Sequence, residues 1–496
     1  MPFGTRAEGR AELTRINIST TSPPEGADLT RHWPPRSVAL VREVARRVRG
    51  AGGQLWVVGG AVRDALLGLP SGDLDLEVFG LEEAALRRLL REVRGFVFVG
   101  KSFPVWRSVK HDLDIALPRR ERATGPRHQD FAIEVDPRMP LAEAAARRDF
   151  TLNAIFFDPL DHKLADPADG VRDLALRCLR HVSAQFSEDA LRVLRAMQFA
   201  ARFDLEVAPS TVALCRRLES THLPLERIGG EWEKLFLKGR RPSRGLEFIR
   251  LCGWLRDYPE LVALVDCPQD PQWHPEGDVW THTLAALDAW APLRVGERID
   301  DLVTGLAVLC HDFGKASHTL LRDGRWRSPE HEYAGIEPTR RFLARLTREL
   351  KVAEGVLPLV ETHMRPYQLF GAGAGDSAVR RLARKAGRLD RLVRLAKADA
   401  RGREGAEEDP FPAGDWLLER AAALQMGEKG PRPIVLGRHL IEAGAEPGPA
   451  FREILDELFE AQLDGAFDEL EEGLRRARAA LAARGLIRSG SSDRSD

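Results

Sequence analysis

Asp73 and Asp75 stand one residue apart in Gly72-Asp73-Leu74-Asp75-Leu76-Glu77-Val78, where leucine and valine alternate with the acids. Such alternation marks a strand with one buried face, so the acidic side chains project together from the other. Two carboxylates so placed can grip one hard cation, and Mg²⁺ completes its octahedron with water and substrate phosphates. A nucleoside triphosphate meets that description. Upstream, apolar Leu55 to Val58 runs into Gly59-Gly60 and then helix-like Ala61 to Leu67. A glycine turn between strand and helix aims backbone N–H groups at an anion, and Arg63 adds a guanidinium fork for the same phosphates. Holding two ions for in-line attack by a hydroxyl calls for a third acid. The second strand-like run, Val109 to Ala116, offers Asp112 or Asp114, of which Asp114 is preferred.

Alone, an Asp-x-Asp is usually a solvated strand face and a Gly-Gly says less. Glycine turn, short helix and paired-acid strand together, within one short stretch, point to nucleotide transfer.

The bulk numbers bound the rest. A chain of 496 residues exceeds one ordinary core, and 43% hydrophobic against 30% charged residues is a globular balance. No apolar run reaches the roughly 18 residues of a membrane span and no signal-peptide core opens the chain, so a cytoplasmic protein is expected. The five cysteines are scattered, without a Cys-x-x-Cys pair, and read as reduced core residues. A net charge of −1 gives no overall attraction to nucleic acid. Local patches would have to provide it: Arg119, Arg120, Arg122 and Arg127, and the ten basic residues from Arg380 to Arg403, unless these are simply solvated helix faces.

The expected class is α+β. Residues 1–34 read as a loose leader, 35–180 as an alternating strand and helix unit, 181–268 as helical, 269–403 as all-helical and rich in histidine, and 404–496 as a helical tail with a polar end beyond an acidic, Pro-rich linker.

Two further clusters suggest a ligand. Arg147 to Ala154 reads as helical: Arg148 suits triphosphate oxygens, and Asp149 and Asn153, four apart on one face, can bracket a ribose hydroxyl. Glu188-Asp189-Ala190-Leu191-Arg192 opens a helix on which Asp189 and Arg192 lie side by side as acceptor and forked donor. Cytosine and adenine present an amine beside a ring acceptor, whereas uracil and guanine present a carbonyl there. The pair therefore accepts C and A and rejects U and G. Intrahelical hydrogen bonds and ion pairs explain the same residues without a ligand.

The Gly-Gly-Ala-Val-Arg-Asp turn, the Asp-Leu-Asp strand, Arg-Arg-Asp-Phe-Thr-Leu-Asn-Ala, Glu-Asp-Ala-Leu-Arg, and Glu226-Arg227-Ile228 with Glu231 and Lys234 follow one another as in bacterial class II tRNA nucleotidyltransferases, the CCA-adding enzymes, which this chain resembles over about residues 54 to 240. The resemblance implies a polymerase-β-like nucleotidyltransferase head with a mixed sheet, followed by an all-α neck that carries a protein template for the base. It implies CTP and ATP as substrates, tRNA as partner, recognised by the shape of its acceptor arm, and Mg²⁺ on Asp73 and Asp75, with Asp114 completing the catalytic set. Gly59, Gly60, Arg63, Arg148, Asp149, Asn153, Asp189, Arg192 and Arg195 would bind the nucleotide. A flexible segment in the Arg122 to Met139 stretch serves the family in switching from C to A.

The histidines form a separate pattern: His282, then His311-Asp312-Phe313-Gly314-Lys315, then His331, His363 and Asp399. His and Asp ligands suit Mn²⁺, Ni²⁺, Co²⁺ or Zn²⁺, and a bound ion supplies hydroxide for phosphoester hydrolysis. A single histidine is more often a core residue. The His-Asp pair between His282 and Asp399 resembles the HD phosphohydrolase superfamily, which implies a phosphodiesterase or phosphatase acting on tRNA 3′-end phosphates, with His331 and His363 as further ligands. Three alternatives remain at this stage: an enzyme adding only CC or only A, a metal phosphohydrolase whose head merely binds RNA, and a regulatory nucleotide sensor.

Overall fold

The computed structural model describes residues 27–99, 104–123, 131–406, 410–426 and 430–487. Chain contacts divide it into two units, Met1–Asp257 and Tyr258–Asp496.

The first unit opens with α1 (Pro35–Gly50), β1 (Gln54–Val58), α2 (Gly60–Leu66), β2 (Leu74–Phe79), α3 (Glu83–Val93), β3 (Phe96–Phe98), β4 (Val105–Ser108) and β5 (Leu113–Ala116). Then come β6 (Arg119–Ala123), β7 (Phe131–Val135), α4 (Leu141–Ala146), β8 (Phe156–Asp158), β9 (Lys163–Ala165) and α5 (Gly170–Ala175). Seven strands form one mixed sheet in the order β3-β4-β5-β2-β1-β8-β9, with β2 and β5 parallel. The alternation has its expected effect. Leu55, Val57, Leu74, Leu76, Val78, Leu113 and Ile115 enter one core, while Trp56, Val58, Phe79 and Phe156 enter a second cluster.

Three expectations are corrected. The leader is not loose up to residue 34: Leu29–His32 form a 3₁₀ turn, and Leu29 and Trp33 are buried in the head core. Trp33 meets Phe157 edge-on at 5.7 Å and donates from Nε1 to the Ala61 carbonyl, so its apolar body and polar tip are both satisfied. Val109 to Asp112 is a turn, and the strand starts only at Leu113. Arg147 to Ala154 is not helical: α4 ends at Ala146, Phe150 bridges to His181, and Thr151–Asn153 make one 3₁₀ turn.

The same unit continues through β10 (Cys178–Leu179), α6 (Leu191–Phe203), β11 (Glu206–Val207), α7 (Pro209–Cys215), α8 (Leu225–Lys238) and α9 (Pro242–Leu251). Helix α6 buries Leu194, Met197, Ala200 and Ala201, a helix-spaced stripe. Trp232 and Leu235 of α8 and Leu246 and Ile249 of α9 are buried as well.

The second unit is helical, with its histidine-bearing part built on Val279–Trp290, Arg298–Cys310, Leu350–Thr362 and Leu389–Arg401. It is not all-helical. Leu320–Arg322 and Arg325–Arg327 pair as an antiparallel hairpin across Asp323 and Gly324, both at positive φ. Asp-Gly is the dipeptide that two-residue hairpin turns favour, and strands of three residues are too short to show a period. Toward the C-terminus, Leu440, Ile454, Leu458, Phe467 and Leu481 form a separate core. Among the described residues no helix is long and apolar enough to cross a membrane. All five cysteines are free; Cys178 is half-buried and the others are buried.

Candidate active site and metal centre

Asp75 on β2 and Asp114 on β5 are register partners. Asp73 precedes Asp75 by two residues, on the same face. Asp75 opens to solvent at that face while neighbouring residues crowd its carboxyl, and Asp114 is half-exposed. Desolvation, then the Asp73 carboxylate, pushes the Asp75 carboxyl up to about 6. Asp73 is also raised, first by desolvation and then by Asp112 and Asp114. Hard oxygens that raise one another's proton affinity are a donor set suited to a divalent cation. Asp114 meanwhile accepts both forks of Arg107, its partner on β4, at 2.9 and 2.7 Å.

Beside the acids lies a cavity of about 300 Å³ lined by Arg119, Arg147, Arg148 and Arg192. Glu77, buried on β2, anchors two of these by ion pairs, to Arg147 and at 3.2 Å to Arg148. Gly59 sits at φ +75°, and a Cβ there would lie 3.3 Å from Arg148 Nη1 and 3.7 Å from Asp75 Oδ2. The glycine turn therefore meets the acids and the arginine cavity at close range. Gly60 starts α2.

Arg63 does not join this cavity. It is buried, donates to Asp64 at 2.8 and 2.6 Å and to Asn153 Oδ1 at 2.6 Å, and lies over Phe199 and Phe203 of α6. Its fork is occupied by the protein, so it is a positioning residue and not a phosphate ligand. Asp149 and Asn153 do meet, at 2.9 Å, through a turn and not along a helix face. Arg195 grips Asp149 at 2.8 and 2.6 Å, which makes it a support for Asp149.

Asp189 and Arg192 are not paired either. Asp189 lies ahead of α6 and binds Arg227 of α8 at 2.7 Å, while Arg192 donates to the carbonyls of Gln185 and Arg147 at 2.8 and 2.9 Å. Arg119, Arg147, Glu77 and Arg227 carried no nucleotide role in the sequence reading. Arg227 could have been found, since it sits in the Glu226-Arg227-Ile228 motif.

In the second unit His282, His311 and Asp399 form one ligand group, and Asp312, His331 and His363 another. Asp312 faces both, 3.2 Å from His311 Nε2 and 3.3 Å from His331 Nε2. The Nδ1 atoms of His311, His331 and His363 bond backbone carbonyls at 2.7, 2.8 and 2.7 Å. That fixes each ring with Nε2 turned inward. His331 and His363 Nε2 lie 3.2 Å apart, and His311 Nε2 is buried without a hydrogen bond. Burial, then His311 and His331, pulls His363 down to about 3, which leaves it a neutral imidazole. These donors fit a transition-metal ion.

Glu276, absent from the sequence reading, accepts from Nδ1 of His282 at 2.7 Å and of His274 at 2.8 Å. Gly314 serves the approach of His331, because a Cβ there would lie 2.0 Å from the His331 carbonyl oxygen.

The basic run from Arg380 to Arg403 is largely neutralised. Arg381 and Arg384 pair with Glu460, Lys385 with Glu361, and Arg388, Arg391 and Arg394 converge on Asp300. Ion pairing explains it, at the surface for Arg381, Arg384 and Lys385 and in a largely buried cluster around Asp300 for the other three. In the other patch, Arg120 pairs with Asp136 and Glu143, Arg122 lies on β6, and Arg127 is outside the described residues.

Residues 55–180 match the family model described as the poly A polymerase head domain. The multifunctional CCA protein of Xylella fastidiosa (strain M23) is 37% identical over 392 residues, covering 75% of this chain and 90% of that protein. The Bacillus stearothermophilus CCA-adding enzyme in complex with CTP shares the fold, with a TM-score of 0.61 at 23% identity over 91% of this chain and 99% of that one. The Thermotoga maritima CCA-adding enzyme complexed with tRNA does so with a TM-score of 0.56 at 19% identity, over 91% of this chain and 97% of that one. A paired-acid strand, an arginine cavity and a head-domain match, joined to that degree of identity, place the chain in the class II CCA-adding family, among the multifunctional CCA proteins.

Proposed function

We propose that the chain adds C and A to tRNA 3′ ends from CTP and ATP without a nucleic-acid template. The observation that carries this reading is the register pair Asp75 and Asp114, with Asp73 beside it, next to a cavity of four arginines.

In the reaction the RNA 3′-hydroxyl oxygen bonds the α-phosphorus as pyrophosphate leaves. Asp73, Asp75 and Asp114 would hold Mg²⁺, which when bound neutralises phosphate oxygens and favours the attacking alkoxide. Arg119, Arg147 and Arg148 receive the triphosphate, Arg147 and Arg148 being held by Glu77. Asp149 and Asn153, buried and fixed by Arg195 and Arg63, are the residues assigned to the ribose. Asp189 with Arg227, and Arg192, stand where the base edge would be read. A base with the wrong edge leaves polar groups unpaired at about 1–3 kcal/mol each, which favours C and A over U and G.

Incubation with tRNA lacking CCA and each labelled nucleotide tests the reading. CTP and ATP should be incorporated, and equal use of UTP or GTP would overturn the base-selecting role.

A second activity in the same chain rests on the histidine cluster. The reading is a phosphodiesterase or phosphatase that clears 2′,3′-cyclic or terminal phosphates from tRNA 3′ ends, using Mn²⁺, Ni²⁺, Co²⁺ or Zn²⁺ on His282, His311, Asp312 and Asp399, with His331 and His363 as further ligands. A 3′ phosphate blocks the hydroxyl that nucleotide addition needs, so the two chemistries serve one RNA end in the cytoplasm. Asp73→Ala should abolish addition and leave hydrolysis intact. Loss of both would argue for one shared site.

A further inference from the structure

The cavity over the histidine cluster has walls that metal ligation leaves unused. It measures about 370 Å³, and Trp273, Trp326, Lys315 and Arg403 line it together with Asp312 and His331. Trp273 is 59% exposed, an unusual state for so large an apolar surface. Trp326 sits at the centre of the second hairpin strand, Arg325–Arg327. The hairpin is fastened to the Trp273 loop, because Arg325 donates to Gln272 and lies 3.9 Å from Asp270. Both indoles therefore line the cavity from two joined segments.

Two cations, Lys315 and Arg403, line the same cavity. Lys315 Nζ lies 2.8 Å from Asp312 Oδ2 and donates to Gln269 Oε1 at 2.7 Å. Arg403 Nε is buried with no hydrogen-bond partner. A bare phosphate needs only the ligands and the cations. Two indoles add flat π surface, which is what a nucleobase stacks on.

We propose that Trp273 and Trp326 form a base-stacking subsite, so that this cavity takes a nucleoside monophosphate unit, with its phosphate toward Lys315, Arg403 and the metal ligands. The unit is either a free nucleotide or the 3′ end of an RNA strand. The inference rests on reading the cluster as a phosphohydrolase centre, and its test separates the two ideas.

The full chain, loaded with Ni²⁺, is titrated calorimetrically with adenosine 3′-monophosphate, with a short 3′-phosphorylated oligonucleotide, and with base-free glycerol 2-phosphate. Trp273→Ala, Trp326→Ala and Trp326→Phe are measured alongside, and phosphate release is followed separately. Each alanine variant should weaken adenosine 3′-monophosphate about ten-fold or more, leave glycerol 2-phosphate unchanged, and be largely rescued by Phe at 326. Tighter binding of the oligonucleotide than of the mononucleotide identifies the strand end as the source, and the reverse identifies the free nucleotide. Equal loss for ligands with and without a base, or no loss at all, overturns the subsite. Tryptophan-dependent binding without phosphate release keeps the subsite and removes the phosphohydrolase reading. Release from both substrates, indifferent to the tryptophans, does the opposite.

Discussion

Arg107 and Asp114 are joined by two parallel hydrogen bonds of 2.9 and 2.7 Å, so the acid proposed as third in the transfer site already has a cationic partner. Any ion that uses Asp114 competes with this guanidinium. The pair is solvent-exposed on the arginine side and therefore weak. Arg107→Ala is expected to lower the Mg²⁺ concentration for half-maximal nucleotide addition by about two- to five-fold. A Mg²⁺ titration of the addition rate checks this, and an unchanged or higher requirement would mean that Asp114 stays out of ion binding.

The acidic cluster sets a pH dependence. With the Asp75 carboxyl raised to about 6, the group is ionised and ready for a cation above that pH and protonated below it. Mg²⁺ affinity should therefore fall as pH drops through about 6, by roughly ten-fold per unit for one linked proton. Raising the Mg²⁺ concentration should carry the acid limb of activity to lower pH. Calorimetric titrations between about pH 5 and 8, read with proton release, provide the check. A flat affinity over that range contradicts the assignment.

Two arginines separate support from substrate contact. Arg63→Ala strands the buried oxygens of Asp64 and Asn153 and should cost about 3–5 kcal/mol of stability, visible in thermal denaturation. Arg119→Ala should move the melting temperature less than Arg63→Ala does and should raise KM for CTP and ATP together by about ten-fold. Steady-state kinetics on both variants decides it, and a selective effect of Arg119→Ala on one base would be inconsistent with a phosphate role.

The histidine cluster should be stabilised by its ion. A metal present at about a hundred times its Kd adds roughly 2.7 kcal/mol to the unfolding free energy. Chelation should lower the melting temperature of the wild-type chain, while His311→Ala should start low and respond little. Nucleotide addition by His311→Ala is expected to stay at the wild-type level when assayed with Mg²⁺.

What could be read in advance depended on whether partners were near in sequence. Asp73, Asp75 and Asp114 were legible because alternation alone puts a residue on a face, and Asp75 and Asp114 do occupy one register row. For Arg63 the neighbouring Asp64 was visible, but the partners that complete its enclosure, Asn153, Phe199 and Phe203, lie far along the chain. Asp189 and Arg192 looked like a pair because three-residue spacing brings side chains together on a helix, yet the helix begins only at Leu191. The hairpin carrying Trp326 is marked in the sequence by Asp323-Gly324, but its three-residue strands are too short to show a period.

Glu77 has a consequence for how the phosphate cavity comes into being. Guanidinium groups crowded around an empty hollow repel one another, and a buried carboxylate behind Arg147 and Arg148 settles that quarrel while the chain is folding. An arriving polyanion then finds its counter-charges already arranged, with little reshaping left to do. A residue buried behind the cavity thus fixes the charges that face into it.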